Sequence, residues 1–444
     1  MENKHLPSSA PDSDSPVTYR EVDQYMREIN AEVSPKLREA VKEIDDDDAR
    51  EIVDYFFGPR YDQPKGRPLL ARLAFEVVAD LRRKANPQTA GLRMLDPKIG
   101  LNFLVSLRLL DGASILHDDI LDHNQMRDGQ ESVVKKFGYE RALVAGEIAR
   151  ELAYKIFSRA VDDQEKTYDE QISRKSDVQI KDSGRTFIVG QASNGRPIKR
   201  NVDIQRKVTD IYNDIWFKGN VGQLLDMEAF NKNKTVSMKD YLKRLYLLTG
   251  QFFERVMILG AYDAGIDQTK MSKELEILGN YGKYYGIAAQ LRNDLLDFVP
   301  EGGFKDKTAA DRKFSYQDFT EGKQTMPIIL AKEKCPDSEW QFIHSRIGDK
   351  KLSNHDKQAI NEILVKRGII RECGKKIFEL SKMAINEINK LKIKSRKKEM
   401  LIVWALVLSN LVKKSFAGEK VDQELKLDSL EQLEKYFKQK PTLS

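Results

Sequence analysis

The chain has 444 residues, carries a formal net charge of +6 at pH 7, and is 40% hydrophobic and 32% charged. This length can bury a large core, in one domain or two, and the basic residues are spread along the chain without any zinc-finger spacing or arginine-rich arm, which argues against a nucleic-acid partner. Cys335 and Cys373 lie far apart and in no metal-ligand spacing, which excludes a disulfide framework and favours a reducing, cytoplasmic compartment.

The chain is predicted to have three parts: a disordered tail over residues 1–17, a helical domain over residues 18–418, and a charged C-terminal helix and tail over residues 419–444. The first part lacks a charged start followed by an apolar run, so it does not read as a secretory signal. The longest apolar candidate, MLIVWALVLSNLV, falls short of about 18 residues and is interrupted by Ser409 and Asn410. The sequence therefore predicts no transmembrane segment.

Apolar residues recur at helical spacing through most of the domain, and convincing strand alternation is almost absent. We therefore predict an all-α bundle of ten or more helices. The predicted helices include, in chain order, VDQYMREINAEVSPKLREAVKEI, LLARLAFEVVADLRRKA, KIGLNFLVSLRLLDGASILHDDILD, ERALVAGEIARELAYKIFSRAV, VTDIYNDIWFKGNVGQLLDMEAF, MKDYLKRLYLLTGQFFERVMILGAYDAGI, LEILGNYGKYYGIAAQLRNDLLDFV, QAINEILVKRGIIRECGKKIFELSKMAINEINKL and KEMLIVWALVLSNLVKKS.

Two polar intervals interrupt this pattern. Residues 161–207 lack a sustained helical period and are predicted to form an insertion loop with at most a short hairpin. Residues 299–327 are predicted to form a second loop, which contains Lys313 and Lys323 among its basic residues. These cations either supply counter-charge to a metal-bound diphosphate or belong to an ordinary basic surface loop.

Two aspartate clusters, His117–Asp122 with the sequence HDDILD and Asn293–Asp297 with the sequence NDLLD, lie within apolar helical stretches. Carboxylates four residues apart share one helix face. Burying several of them is costly unless cations compensate the charge, and Mg²⁺ prefers such oxygen ligands together with substrate phosphates. Two clusters with the same (D/N)-D-x-x-D spacing thus predict a magnesium site that works on a diphosphate, and the alternative is a pair of solvated acidic helix faces.

Further short motifs accompany these clusters in a fixed order. They are Arg127 and Gly129 downstream of the first cluster, Phe137-Gly138, Ala145 to Glu147, Gly222 to Asp226 (GQLLD), Thr249-Gly250, Gln290 to Asp297 (QLRNDLLD) and Glu321 to Pro327 (EGKQTMP). From about Lys65 to Ser415 the chain resembles the trans-isoprenyl diphosphate synthases, the polyprenyl synthetase family. The resemblance implies the isoprenoid synthase fold, a large single-domain helical bundle around a central cavity.

The resemblance also implies the chemistry and the residues that carry it. An allylic diphosphate ionises, the double bond of isopentenyl diphosphate attacks the allylic cation, and loss of a proton leaves a longer trans-prenyl diphosphate. Three Mg²⁺ ions with bound diphosphate and a homodimer are also implied. The implied metal ligands are Asp118, Asp119, Asp122, Asn293, Asp294 and Asp297. The implied contacts to substrate are Lys65, Arg67, Arg127, Gln290, Lys313 and Lys323, with Gln223 and Thr249 near the cation or diphosphate.

The chain departs from the family pattern at several positions. The lysine of the usual G-K-x-x-R-P element is Pro64, which Lys65 replaces only by a one-residue shift. The second of the usual paired arginines is Asp128, and the lysine that usually precedes Thr249 is Leu248. These losses keep two alternatives open: an enzyme that resembles a terpene synthase or prenylates another acceptor, and a non-catalytic subunit of a heteromeric synthase.

Product length in this family depends, by the resemblance, on side-chain bulk just before the first cluster. Ala113 and Ser114 lie five and four residues before Asp118, and both are small. One turn further back the helix carries Leu109 and Leu110. We therefore predict a product of twenty carbons or longer, unless the small residues only permit close helix packing.

Overall fold

The structure is a computed structural model that describes residues 15–85, 97–173, 186–191, 197–228, 236–265, 271–300, 315–417 and 426–438. For residues 97–99, 162–173, 186–191 and 197–204 it describes the backbone alone. Lys313 and the predicted tail up to residue 14 lie outside the described residues.

The described chain is almost entirely helical, which confirms the predicted all-α class. Its helices are α1 Tyr19–Val41, α2 Asp47–Phe57, α3 Gly66–Ala85, α4 Pro97–Leu121, α5 Val133–Phe137, α6 Tyr139–Ser173, α7 Val202–Glu228, α8 Met238–Leu245, α9 Gln251–Asp263, α10 Ser272–Leu296, α11 Gln317–Glu321, α12 Met326–Lys334, α13 Asp337–Arg346, α14 Asn354–Lys366, α15 Ile369–Asn389, α16 Arg396–Ala417 and α17 Leu430–Lys438. A 3₁₀ turn covers Gly58–Arg60, and a π-helical turn, Tyr246–Gly250, joins α8 to α9. Two antiparallel hairpins pair β1 Met126–Arg127 with β2 Gln130–Glu131, and β3 Thr186–Gln191 with β4 Pro197–Asn201.

Hydroxyl caps define where several helices begin. Thr18 accepts a hydrogen bond from the backbone N–H of Glu21 at 3.3 Å, and Ser237 and Ser353 cap α8 and α14 in the same way at 3.1 and 3.0 Å. Each cap satisfies a backbone donor that has no partner inside its helix, and its loss costs about 1 kcal/mol. Gly368, in the left-handed conformation with φ 70°, joins α14 to α15.

Close helix contacts hold the central helices in place. A Cβ added to Gly260 of α9 would lie 2.3 Å from the carbonyl oxygen of Ala71 on α3, and one added to Gly282 of α10 would lie 2.4 Å from the carbonyl oxygen of Phe253 on α9. Glycine therefore allows α3, α9 and α10 to pack with their backbones nearly in contact. Helix α10 also packs on α15, and α4 packs on α6. Of these helices, α3, α4 and α10 contribute with α7 to the lining of the cavity described below.

The described parts of the two polar intervals contain more secondary structure than the sequence predicts. In residues 161–207, α6 continues to Ser173, the β3–β4 hairpin follows, and α7 begins at Val202. The predicted hairpin is therefore present, but both ends of the predicted insertion loop are helical because the long neighbouring helices extend into it. In residues 299–327, the described part contains the short helix α11 and the start of α12.

The C-terminal helices belong to the core. In α17, Leu433 and Phe437 are buried, and the Phe437 ring stacks on Phe378 of α15 at 5.3 Å. By length and composition alone α16 could cross a membrane, but 56% of its apolar window is buried inside the fold. That burial is typical of the core helix of a globular domain.

Candidate active site

The ends of α4, α7 and α10 and the segment around α11 enclose a polar cavity of about 470 Å³. Most of the predicted site residues line it. They are Arg67, Ser114, Asp118, Asp122, Arg127, Gln223, Thr249, Gln290, Asn293, Asp294 and Lys323. Both aspartate clusters therefore contribute to a single cavity.

The first cluster divides between the cavity and the protein interior. Asp118 and Asp122, one helical turn apart, face the cavity. Asp119 does not line the cavity, because its side chain is turned into the protein interior. Its side chain is 1% exposed and accepts hydrogen bonds from both Arg127, with the Nε contact at 2.7 Å, and Asn124, at 3.0 Å. In this structure Asp119 thus positions Arg127 at the cavity wall.

Arg127 is presented by the β1–β2 hairpin. The two turn residues, Asp128 and Gly129, have φ angles of 50° and 83°, and an Asp-Gly pair is favoured where both turn residues need positive φ. The Asp128 carboxylate pairs with Nε of Arg60 at 2.8 Å, and the Arg60 side chain is 3% exposed. Asp128, which stands where the family usually has an arginine, thus forms an ion pair with a buried arginine beneath the hairpin.

The second cluster divides in a similar way. Asn293 and Asp294 line the cavity, whereas Asp297 does not. Asp297 follows the last residue of α10, and its carboxylate accepts hydrogen bonds from the backbone N–H groups of Gln317 and Phe319 at 2.7 and 3.2 Å. It therefore anchors the start of α11 in this structure, since the end of α10 turns it towards that segment.

A chain of neutral hydrogen bonds holds Asp294. Tyr241 donates to it at 2.8 Å and Gln290 donates at 3.1 Å, while Thr249 donates to Gln290 at 2.8 Å. Thr249 lies in the π-helical turn, a feature often found at functional sites. These contacts fix the orientation of the Asp294 carboxylate without neutralising its charge.

The crowded carboxylates have raised pKa values. Burial, followed by the charge of Asp122, raises the pKa of Asp118 to about 7. Burial, followed by the charge of Asp318, raises the pKa of Asp294 to about 7 and that of Asp297 to about 6. Each shift means that the protein disfavours the anion, so a bound cation would stabilise the ionised form.

Lys323 lies at the centre of the acidic wall. Its Nζ is 2.9 Å from Asp122, 3.3 Å from Asp318, 3.5 Å from Glu321 and 3.8 Å from Asp226. Burial lowers the pKa of Lys323, but the surrounding carboxylates outweigh it and raise this pKa well above its ordinary value.

Five residues at the site were not predicted from the sequence: Asp226, Asp318, Glu321, Arg244 and Tyr241. Asp226 lies three residues after Gln223 on the same face of α7, so the GQLLD spacing could have indicated it. Asp318 and Glu321 precede Lys323 in the same loop, which is a weaker signal. Nothing in the sequence around Arg244 and Tyr241 indicates their roles.

Two further predicted residues, Arg67 and Lys65, have different surroundings. Arg67 pairs with Asp111 and lies over the ring of Phe252, 4.3 Å from its centroid. Lys65 does not line the cavity. Its Nζ donates to Gln63 at 3.0 Å, and burial lowers its pKa. The one-residue shift that the motif requires thus directs Lys65 away from the cavity, whereas Arg67 reaches it.

An apolar pocket of about 190 Å³ adjoins the acidic cavity. The two share Arg67, Ser114, Asp118, Gln223 and Leu248. Along α4 the lining continues from Asp118 to Ser114 and Leu110, and Trp216 of α7 and Phe252 of α9 also line the pocket. Ala113 is fully buried and lines neither space, because its side chain belongs to the hydrophobic core. Of the two predicted small residues, Ser114 alone reaches it.

The donor chemistry of the cavity fits magnesium. Its ligands are hard carboxylate and amide oxygens, and Mg²⁺ is usually held by one or two carboxylates together with water and substrate phosphates. Within the described ranges, no three histidine, cysteine, aspartate or glutamate side chains converge closely enough to hold an ion by themselves.

Comparison with known proteins gives concordant matches. The sequence model of the family described as polyprenyl synthetase matches residues 67–364. The geranylgeranyl diphosphate synthase of Sulfolobus acidocaldarius is 23% identical over 292 residues, which cover 65% of this chain and 73% of that protein.

Solved structures share the fold. A decaprenyl diphosphate synthase from Rhodobacter capsulatus superposes with a TM-score of 0.66 at 18% identity, covering 89% of this chain and 99% of that one. A geranylgeranyl pyrophosphate synthase from Corynebacterium glutamicum, complexed with isoprenyl diphosphate and magnesium, gives 0.63 at 19% identity, covering 88% and 99%.

Proposed function

Since the chain belongs to the polyprenyl synthetase family, we propose that it is a magnesium-dependent prenyl diphosphate synthase that condenses an allylic diphosphate with isopentenyl diphosphate. The observation that carries this proposal is the shared cavity. Asp118 and Asp122 of α4 line it together with Asn293 and Asp294 of α10, and it adjoins an apolar pocket suited to a prenyl tail.

The residues of the cavity have distinct roles in this proposal. Asp118, Asp122 and Asp294 would hold magnesium, three ions by family resemblance, which supplies positive charge to the diphosphate as its C–O bond breaks. Arg127 and Lys323 add fixed positive charge on the same side, where it stabilises the leaving group more than the bound substrate. The pocket along Ser114, Leu110 and Phe252 excludes water from the allylic cation.

We propose a product of twenty carbons or longer. The face of α4 over the two turns behind Asp118 presents Ser114 and then Leu110, and neither is bulky and aromatic. Trp216 of α7 and Phe252 of α9 also line the pocket, and the imidazole of His117 lies against Trp216 at its metal end. The names of similar proteins range from geranylgeranyl to decaprenyl diphosphate synthase and leave the length open.

A second candidate is an enzyme that ionises the allylic diphosphate without using isopentenyl diphosphate. The observation that favours it is the pairing of cations on the α3 side. Arg67 is paired with Asp111 and Arg60 with Asp128, so their charges are already compensated by the protein. A second diphosphate would have to displace these carboxylates. An uncharged acceptor would leave these ion pairs intact, and so would cyclisation of the substrate itself.

A homodimer is proposed from an exposed apolar face. Phe217 and Leu224 of α7 are 67% and 63% exposed, and Leu143 and Val144 of α6 are 51% and 56% exposed. Clustered exposed apolar side chains indicate an interaction surface. Because Leu143 also lines the apolar pocket, a second copy on this face would help to close the pocket wall.

A cytoplasmic location, proposed from the free cysteines, is compatible with this assembly.

One experiment separates these functions. Purified full-length protein is incubated with Mg²⁺ and geranyl, farnesyl or geranylgeranyl diphosphate, with and without isopentenyl diphosphate, and products are identified by mass spectrometry. Longer diphosphates that require isopentenyl diphosphate support the proposal. Hydrocarbons or alcohols formed without it support the second candidate. Inactivity until another subunit is added supports the non-catalytic role. The matched control is Asp210→Ala, which changes a 71% exposed aspartate of α7 and should leave the products unchanged.

A further inference from the structure

The ammonium group of Lys323 occupies the place in the cavity wall where a metal ion would be expected. Its side chain is only 10% exposed, and four carboxylates lie within 3.8 Å of Nζ. They come from the end of α4 (Asp122), from α7 (Asp226) and from the α11 segment (Asp318 and Glu321). So many crowded carboxylates need a cation. Arg244 pairs with Asp226 at 3.2 Å, and within the described chain Lys323 contacts all four.

The backbone holds Lys323 in this position. Its N–H donates to the carbonyl oxygen of Asp318 at 2.8 Å, and Gly322 before it adopts φ 94°, which closes α11. On the other side, Arg244 donates to the carbonyl oxygen of Gln324 at 2.9 Å. The position of the ammonium group therefore follows from a fixed segment, while the side chain keeps the reach of its flexible four-carbon stem.

We propose that Lys323 is a built-in counter-cation that occupies the metal pocket until a diphosphate arrives and draws its ammonium group away. A divalent ion and an ammonium group that share Asp122 repel one another, so metal alone should bind weakly. A diphosphate offers Lys323 other anionic oxygens within the same cavity and frees the carboxylates for metal. Metal and diphosphate would therefore bind cooperatively, each raising the affinity for the other by the same factor.

This inference rests on the proposed function but is tested by binding rather than by turnover. Mn²⁺, which shares the preference of Mg²⁺ for oxygen ligands, is titrated into full-length protein by calorimetry, with and without inorganic pyrophosphate. The variants are Lys323→Met, which removes the charge at similar length, and Lys323→Arg, which keeps it. Because they differ mainly in charge at one position, their comparison separates electrostatic competition from loss of packing.

Without pyrophosphate, Lys323→Met should bind Mn²⁺ about tenfold more tightly than the wild type, and Lys323→Arg should bind like the wild type. The factor by which pyrophosphate tightens Mn²⁺ binding should be smaller in Lys323→Met. Equal or weaker Mn²⁺ binding by Lys323→Met would overturn the inference. A wild type that binds no Mn²⁺ even with pyrophosphate would instead overturn the proposed function.

Thermal melting gives a second measurement in case the methionine variant folds poorly. Lys323→Met and Lys323→Gln remove the cation that the four carboxylates share and, among the described residues, leave only Asp226 paired, with Arg244, so both should melt at lower temperature than the wild type without metal. Mn²⁺ alone should raise their melting temperatures more than that of the wild type, because it replaces the missing cation. Equal shifts in the wild type and both neutral variants would contradict the role given to Lys323.

Discussion

The two aspartate clusters hold their cavity carboxylates by different means. On α4, Asp122 lies against the ammonium group of Lys323, and Asp118 lies 3.6 Å from the guanidinium of Arg127. On α10, Asp294 has neutral partners, Tyr241 and Gln290. The carboxylates of one wall are therefore in contact with cations, whereas Asp294 on the other wall is held by neutral hydrogen bonds and feels only the more distant charge of Arg244. The difference indicates that Asp294 depends more on bound metal than Asp122 does.

In each cluster, one of the three Asp or Asn side chains of the (D/N)-D-x-x-D motif does not reach the cavity. Asp119 binds Arg127, and Asp297 binds the backbone at the start of α11. The shared spacing thus identifies the sites but does not determine which member of each cluster faces the cavity, because that depends on where each helix ends.

The largest expected effect is the loss of turnover when a cavity carboxylate is removed from either wall. Asp118→Ala and Asp294→Ala should each lower the rate by about 10²-fold or more, because each removes a metal ligand that stabilises the leaving diphosphate. Turnover is measured by product formation, and helicity by far-ultraviolet circular dichroism should not change. Turnover close to that of the wild type in either variant would show that the altered carboxylate holds no essential metal.

The next effect concerns stability, and it distinguishes Asp119 from Asp118. Asp119→Ala leaves Arg127 without its main partner and should lower the free energy of unfolding by about 2–3 kcal/mol. This is below the range for fully buried pairs, because the Arg127 side chain is 31% exposed. Asp118→Ala should cost less, since it removes a carboxylate whose ionised form is disfavoured. Denaturant unfolding of both variants checks the order, and a reversed order would refute the assignment of Asp119 to an ion pair.

The neutral partners of Asp294 should tune its ionisation. The hydrogen bond from Tyr241 lowers the pKa of Asp294 and partly opposes the effect of burial. Tyr241→Phe should therefore raise this pKa further and move the acidic limb of the pH–rate profile to higher pH, with a rate loss of about tenfold near neutrality. Gln63→Leu, which changes a partner of Lys65 outside the cavity, serves as the control. An unshifted profile in Tyr241→Phe would mean that the hydrogen bond does not tune the metal ligand.

A smaller effect is the pH dependence of the metal-free protein. Burial raises the pKa of Asp118 and Asp294 to about 7 and of Asp297 to about 6. The folded state therefore binds more protons than the unfolded state between about pH 4 and 7, and stability falls as pH rises through that window. Melting temperatures in the presence of a chelator should decrease from about pH 5 to pH 8, and Mg²⁺ with pyrophosphate should restore them most at the upper end. A rise over this range would contradict the pKa shifts.

Substitutions in the apolar pocket should change the rate least, because they alter the length of the product. Trp216→Ala should lengthen the product distribution while turnover stays within about threefold, because it opens the pocket without touching the carboxylates. Asp210→Ala, which alters an exposed residue of α7 outside the pocket and outside the apolar face, is the matched control. Products of unchanged length in Trp216→Ala would show that this side chain does not limit the tail.

The sequence predicts the helical class and the two clusters because helical periodicity and short motifs are local signals. It does not predict the length of α6, since the polar segment up to Ser173 becomes helical by extending an existing helix. It also groups Ala113 with Ser114, although the rotation of α4 buries the first and exposes the second to the pocket. The contacts of Lys323 depend on three separate elements, and no local pattern reports them.

The central claim is that carboxylates from α4 and α10 hold metal around one diphosphate. Its most direct test is a crystal structure of the full-length protein with Mn²⁺ and pyrophosphate, in which anomalous scattering locates the ions. The account predicts ions bound to Asp118 and Asp122 on one wall and to Asp294 on the other, with pyrophosphate between them. Pyrophosphate bound elsewhere, or ions that contact neither wall, would contradict it.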